Sequence, residues 1–212
     1  MRYYIADLHF GHNALNEQMD CRGFESAEAM DEYMIKQWNR KVRQKDEVII
    51  LGDFCMSPYG ETVNQILSRL NGRKYLIKGN HDRYLEDKEF NTKNFQWIED
   101  YKEIKDNKRK IILSHYPMPF YNGQFRRGED GSLKTYMLYG HVHDSEDETL
   151  LNRFVSQIRS SLRQQRRDGE VIPVPCQMIN CFCMYSDYVP LTLDEWIRLD
   201  EERREKRWQE GR

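Results

Sequence analysis

Long apolar runs, a surplus of charge of either sign and a disulfide framework are all missing from this sequence of 212 residues. No stretch of about 18 apolar residues occurs, which argues against a membrane-spanning helix. Lys and Arg number 33 against 35 Asp and Glu, a formal net charge of -2, so no global field recruits nucleic acid or an anionic membrane. Attraction for a phosphate must come from a local patch or from metal ions. The five cysteines (Cys21, Cys55, Cys176, Cys181, Cys183) are odd in number, and the chain is long enough to build a core without staples. They are expected to be reduced, in a cytoplasmic protein. Cys181 and Cys183 form a CxC pair, but its setting, CQMINCFCMYS, is an apolar strand-like run, where Cys acts as a small hydrophobe. The opening MRYYIADLH passes straight from a short apolar strand into polar chemistry, with no room for a signal peptide. Repeats and low-complexity linkers are absent, so residues 1–212 are expected to form one domain.

What is present begins with alternation. Residues 2–6 read as a strand. Residues 26–43 read as a helix, with Ser26 as its cap and Met30, Met34, Trp38 and Val42 recurring every four positions. Residues 47–51 are an apolar strand ending at Gly52-Asp53. A helix over 61–70 carries Val63, Ile66, Leu67 and Leu70 on one face and stops at Asn71-Gly72. Residues 74–78 form a third strand. This β-α-β-α-β order implies right-handed crossovers and a partly parallel sheet. The second half turns to strands: 97–104 and 109–113 around an Asp106-Asn107 hairpin, then 136–139 and 177–184. A helix over about 146–167, with Leu151, Phe154, Val155, Ile158 and Leu162 on one face, is expected as an insertion. Thr192 and Glu195 make a capping box for a final helix. Residues 116–135 are polar and Gly-containing, a loop long enough to suggest a role.

The six histidines are His9, His12, His81, His115, His141 and His143. Each lies in a short segment at the end of an expected strand, all but His115 with Asp, Asn or Gly in that segment, and none follows His143. One such His is usually structural; all six in such settings are hard to explain as packing. Asp7 and His9, at i and i+2 on a strand end, are expected to reach one ion. Gly52 lets backbone approach Asp53 closely. Asp53 or Asn80 taken singly reads as a turn residue. His115 ends a fourth strand, and His141 and His143 form a second i, i+2 pair. Three clusters fall at the C-terminal ends of successive strands, where open α/β sheets place their sites. Several imidazoles with carboxylate and amide oxygens suit Mn, Fe, Zn or Ni better than Mg or Ca alone, and exceed what one ion takes. Two ions about 3.5–4 Å apart would clamp a phosphoryl group and generate a hydroxide nucleophile.

The run D-x-H, GD, GNHD, H and GHVH, in this order, resembles the calcineurin-like metallophosphoesterase superfamily over residues 1 to about 144. The D-L-H-F-G-H opening is similar to its small bacterial and phage members. So, more weakly, is the stretch from Ile179-Asn180 to Pro190 with the Leu-Thr-Leu-Asp-Glu that follows. The resemblance implies an α/β fold of two packed mixed β-sheets flanked by helices, a four-layer sandwich. It assigns Asp7, His9, Asp53 and His143 to one ion and Asp53, Asn80, His115 and His141 to the other, with Asp53 bridging. The ions are expected to be divalent transition metals, manganese foremost. His81 would contact the substrate phosphate and protonate the leaving group. His12 would hold a ligand in place or touch the substrate. Protein phosphatases of the superfamily carry GDxVDRG, where this chain has Met56 at the second Asp, and Asp82 replaces the Glu of GNHE. A protein phosphatase is therefore disfavoured, and an Asp–His dyad with His81 is in doubt.

The expected activity is hydrolysis of small or nucleotide-derived phosphomonoesters or phosphodiesters. A nuclease is the alternative, against which the balanced charge counts. A non-catalytic interaction protein would be expected to have lost ligands, and none is missing. A closed zinc module would need Cys/His spacing that is not there. In the 116–135 loop, Phe120, Tyr121 and Phe125 offer flat faces, and Arg126 and Arg127 offer forked donors. They are expected to select a multi-anionic substrate.

Overall fold

The computed structural model, which describes residues 1–164 and 169–209, turns the alternation of the first half into a parallel sheet. Its strands are β1 (Arg2–Ile5), β2 (Glu47–Leu51), β3 (Arg73–Ile77) and β4 (Phe95–Glu99), hydrogen-bonded in that order. Between them run α1 (Ala27–Lys41) and α2 (Gly60–Arg69). Ser26 caps α1 by accepting from the Ala29 N–H at 3.1 Å. The second half contains β5 (Tyr101–Asp106), β6 (Arg109–Ser114), β7 (Thr135–Tyr139) and α3 (Glu146–Ser160). It continues with the antiparallel pair β8 (Leu162–Gln164) and β9 (Val171–Pro173), then β10 (Met178–Asn180) and α4 (Leu193–Gln209). A second sheet has the order β10-β7-β6-β5, with only β5 and β6 antiparallel.

The two-residue period of the strands distributes the core. Tyr3, Ile5, Val48 and Ile50 face Met30, Met34 and Trp38 of α1 and Val63 and Leu67 of α2. Their neighbours Tyr4, Ile49, Leu51 and Ile77 face Ile111, Leu113, Leu138 and Ile179 of the second sheet, joined by Leu193 and Trp196 of α4. On the far side, Ile112, Met137, Tyr139 and Met178 pack with Val155 and Ile158 of α3. Both sheets are thus apolar on both faces, and the expected order helix, sheet, sheet, helix is realised. Among the described residues no helix is long and apolar enough to cross a membrane.

Several elements differ from expectation. The strand expected over 97–104 is two strands, β4 in the first sheet and β5 in the second, with Asp100 at the crossing. Alternation alone does not reveal a change of partner. The helix expected over about 146–167 ends at Ser160: Ser161 turns extended (ψ 143°) while its N–H still bonds Gln157 and Ile158. Leu162, expected on the apolar face, is 69% exposed in β8. Residues 165–167 of that expected helix lie outside the described residues. The strand expected over 177–184 stops at Asn180, whose side chain turns the chain by bonding the Phe182 N–H and the His143 carbonyl. The hairpin forms with Asn107 and Lys108 both at positive φ, the two-residue turn that suits strand twist.

Candidate metal centre

Parallel strands put their C-terminal ends together, and the two sheets bring two such rims face to face. Asp7 and His9 follow β1, Asp53 follows β2 and Asn80 and His81 follow β3. His115 follows β6, and His141 and His143 follow β7. Five of these, Asp7, His9, Asp53, His141 and His143, have φ between 50° and 73°. That left-handed backbone costs a non-glycine residue on the order of 1–2 kcal/mol. The strand-end alternation expected for Asp7 and His9 therefore does not apply; strained turns aim both side chains. Strained residues of this kind cluster at functional sites.

The glycines of the motifs have a steric reason. A Cβ on Gly52 would lie 2.3 Å from His115 Nδ1, one on Gly79 2.1 Å from Asp53 Oδ1, and one on Gly140 2.6 Å from Asp7 Oδ2. Each glycine precedes one candidate ligand and makes room for another.

The ligand atoms form two groups. Asp7, His9 and His143 have donor atoms within 4.8 Å of one another, and so have Asp53, His115 and His141. Asp53 Oδ2 lies between the groups, 3.5 Å from His9 Nε2 and 3.4 Å from His115 Nε2. Asn80 Oδ1 is 3.0 Å from His115 Nε2 and joins the second group. His141 and His143, although at i and i+2, serve different groups.

The donor set fits cations. Asp7 Oδ2 is buried with no hydrogen-bond partner among the described residues, and buried polar atoms are rarely left so. Burial pushes His9 down to about 2, which keeps its ring neutral and able to ligate. Burial opposes a charge on Asp53, but the His115 and His9 rings and the His81 N–H outweigh it and hold its carboxyl at about 2. Burial pushes the Asp7 carboxyl up despite His143 and His115, so an added cation is what would hold it ionised.

Around the ligands lies a set of orienting bonds. The Leu51 carbonyl sits 2.8 Å from His115 Nδ1, which turns Nε2 toward Asn80 and Asp53. Asp20 Oδ1 sits 2.8 Å from His143 Nδ1 and does the same for that ring, which also stacks on Phe182. Asp82 accepts from the N–H groups of Asp53, Phe54 and Gly79, tying the ends of β2 and β3 together. That is its role here: among the described residues the His81 ring has no hydrogen-bonded carboxylate.

Residues 3–156 match the calcineurin-like phosphoesterase superfamily domain. The chain belongs to this superfamily. An uncharacterized protein of Methanocaldococcus jannaschii is 29% identical over 200 residues, covering 94% of this chain and 90% of its own. The Gene 66 protein of Mycobacterium phage D29 is 28% identical over 164 residues, 66% of this chain and 77% of its own. A solved protein of unknown function from Aquifex aeolicus, AQ665, shares the fold with a TM-score of 0.60 and 24% identity, covering 94% of this chain and 98% of its own.

Membership makes a metal-dependent phosphoesterase the natural setting for the two ligand groups. His81 is half-buried at the rim; its N–H donates to Asp53 Oδ1 at 2.8 Å, and its ring lies 5.4 Å from that of His9. His12 is beside them, its ring 5.6 Å from His9 and its Nδ1 without a hydrogen-bond partner among the described residues. Burial, and then His81, lower its basicity. Tyr116 was not foreseen: its ring packs 4.5 Å from His141 and its hydroxyl is 3.4 Å from Asn80 Oδ1. Its place directly after His115 was the available signal.

Arg126 and Arg127 do not join the site. The Arg126 carbonyl accepts from Lys134 N–H, and the Lys134 carbonyl accepts from Lys110 N–H at the start of β6. Five residue steps of strand, about 16 Å, separate Lys110 from His115. Both ends of the loop are pinned, but Tyr121 and Gln124 tie its middle to Gln177 and Pro175, away from the ligands. Arg163 lies over the Phe125 ring, so that face is already taken.

Proposed function

We propose that this protein is a dinuclear metal-dependent hydrolase of small phosphomonoesters or phosphodiesters, nucleotide-derived ones included. The observation that carries the reading is Asp53 Oδ2 standing between two groups of side chains that could each hold a cation. One ion would be held by Asp7, His9, Asp53 and His143, the other by Asp53, Asn80, His115 and His141. When bound, such ions polarise the phosphate and lower the pKa of attacking water; manganese suits the mixed donors. The chain's own residues supply the rest. His81 stands at the rim with its backbone tied to Asp53, where its ring can give a proton to the leaving oxygen. His12 borders the same space and is proposed to help hold the phosphate. The loop at 116–135 contributes Tyr116 at the site and leaves Arg126 and Arg127 outside it.

The test is metal analysis joined to a turnover panel of nitrophenyl phosphate, bis-nitrophenyl phosphate, a cyclic nucleotide and single-stranded DNA. Two ions per chain with turnover of a small ester is the expected result. One ion at full activity overturns the dinuclear reading, preference for DNA makes the protein a nuclease, and no turnover with both ions bound leaves a binding protein.

A further inference from the structure

The most completely wired side chain near the centre is not a ligand. Arg22 is 0% exposed at its side chain, and it lies in the segment after β1 that joins the site to α1. Its Nη1 donates to the Leu8 carbonyl at 2.7 Å and its Nη2 to the Asp7 carbonyl at 3.0 Å. The same guanidinium grips Asp20 Oδ2 through Nε at 3.0 Å and Nη2 at 2.9 Å. The other oxygen of Asp20 holds His143 Nδ1 at 2.8 Å. Phe182 and Tyr188 close over the guanidinium, each ring centroid 5.8 Å away.

These contacts select one half of the centre. Asp7 and His9 stand in left-handed backbone, at φ 57° and 51°, with Leu8 between them. Arg22 bonds the two carbonyls of that turn, and Cys183 Sγ adds a third donor, 3.1 Å from the Asp7 carbonyl. Through Asp20 it also sets which nitrogen of His143 is free to ligate. A buried guanidinium is costly to desolvate, and a salt bridge to a single carboxylate is weak compensation for fold stability alone.

We infer that Arg22, with Asp20, is the positioning residue for one ion of the pair, the one held by Asp7, His9 and His143. The inference rests on the dinuclear reading. One planar fork presets the turn carrying two ligands and the tautomer of the third. In the other group the Leu51 carbonyl orients His115, and among the described residues Arg22 makes no hydrogen bond to Asp53, Asn80, His115 or His141.

The experiment titrates chelator-stripped protein with Co²⁺ and follows absorption and metal count. In the parent two binding steps are expected. Arg22→Met and Asp20→Asn should each weaken one step by about 10–100-fold and leave the other unchanged. Arg22→Lys should recover only part of the loss, because an ammonium cannot fork. The double variant should lose little more than either single one, since both act through one network. Equal weakening of both steps, or an unchanged titration in any folded variant, overturns the positioning role. If Arg22→Met fails to fold, Asp20→Asn decides by the same criterion. A parent that takes only one ion refutes the dinuclear reading instead, whatever the variants do.

Discussion

At the scale of the residue, the chemistry depends on separating groups that hold ions from groups that face the substrate. His81 is next to Asn80 yet contributes no atom to either ligand group. His81→Ala should therefore keep both metals and lose roughly 10²–10⁴ in rate if it acts as a general acid. The loss should shrink for nitrophenyl esters, whose leaving group needs no proton; an equal loss for alkyl esters would make His81 a positioning group. The glycines carry a second expectation. Gly79 precedes Asn80, and a Cβ there would meet Asp53 Oδ1 at 2.1 Å and the Asp53 backbone N at 2.3 Å. Gly79→Ala should disturb the bridging carboxylate and so reduce the stoichiometry of bound metal, where Gly131→Ala, in open space, should not. Metal counts on the two purified variants check this.

At the scale of the element, α1 supports the site through one carboxyl. Asp31 Oδ1 accepts from the Gly11 N–H at 2.9 Å, within the D-L-H-F-G-H turn. Burial pushes this carboxyl up to about 6, with Glu28 and Glu32 adding to the effect and the Gly11 bond and Arg22 working against it. A carboxyl whose folded pKa lies above its unfolded value of 3.8 destabilises the fold while ionised. The parent should gain stability as pH falls from above 6 toward 4, as far as this group decides. Asp31→Asn keeps the accepting oxygen without the charge. It should be the more stable protein at pH 8, with the gap closing by pH 4; denaturant melts at the two pH values test it. At the other end of the chain, Thr192 and Glu195 form the reciprocal cap of α4, Glu195 accepting from the Thr192 N–H at 2.8 Å. Thr192→Ala should cost about 1 kcal/mol in a urea melt, the ordinary worth of such a cap.

At the scale of the whole molecule, the centre is a seam. Asp7, His9, Asp53 and Asn80 come from the ends of the first sheet, and His115, His141 and His143 from the second. Ions held there would join the two sheets at the rim and favour the folded chain. Stripping them should lower the melting temperature. Adding metal at 100 times its Kd should restore about 2.7 kcal/mol per site by mass action. A melting temperature indifferent to chelator and to added manganese would mean that the rim holds no tight ion.

How much of this was legible in the sequence varies by kind of feature. The candidate ligands were legible as a set, because Asp, Asn and His at strand ends, with glycines before several of them, form a local pattern that no packing demand explains. The helices of the first half were legible from period and caps. Residues 97–104 were not: one unbroken pattern serves β4 and β5, and only the partner strands show that the chain changes sheets at Asp100. Nor was the end of α3, because Leu162 continues the apolar face by spacing while the backbone has already turned extended. The roles of Arg22, Asp20 and Asp82 are set by contacts across up to 123 positions of sequence, which no local period encodes. For the same reason Arg126 and Arg127 read as site residues: their loop starts at His115, but the start of β6 and the link before β10 hold its middle away. The sequence by itself determined which side chains are candidates to hold metal and in what order the strands deliver them. Tertiary structure alone decided which side chains aim those residues and which loop residues stay away from them, because both depend on how two sheets meet rather than on how either is written.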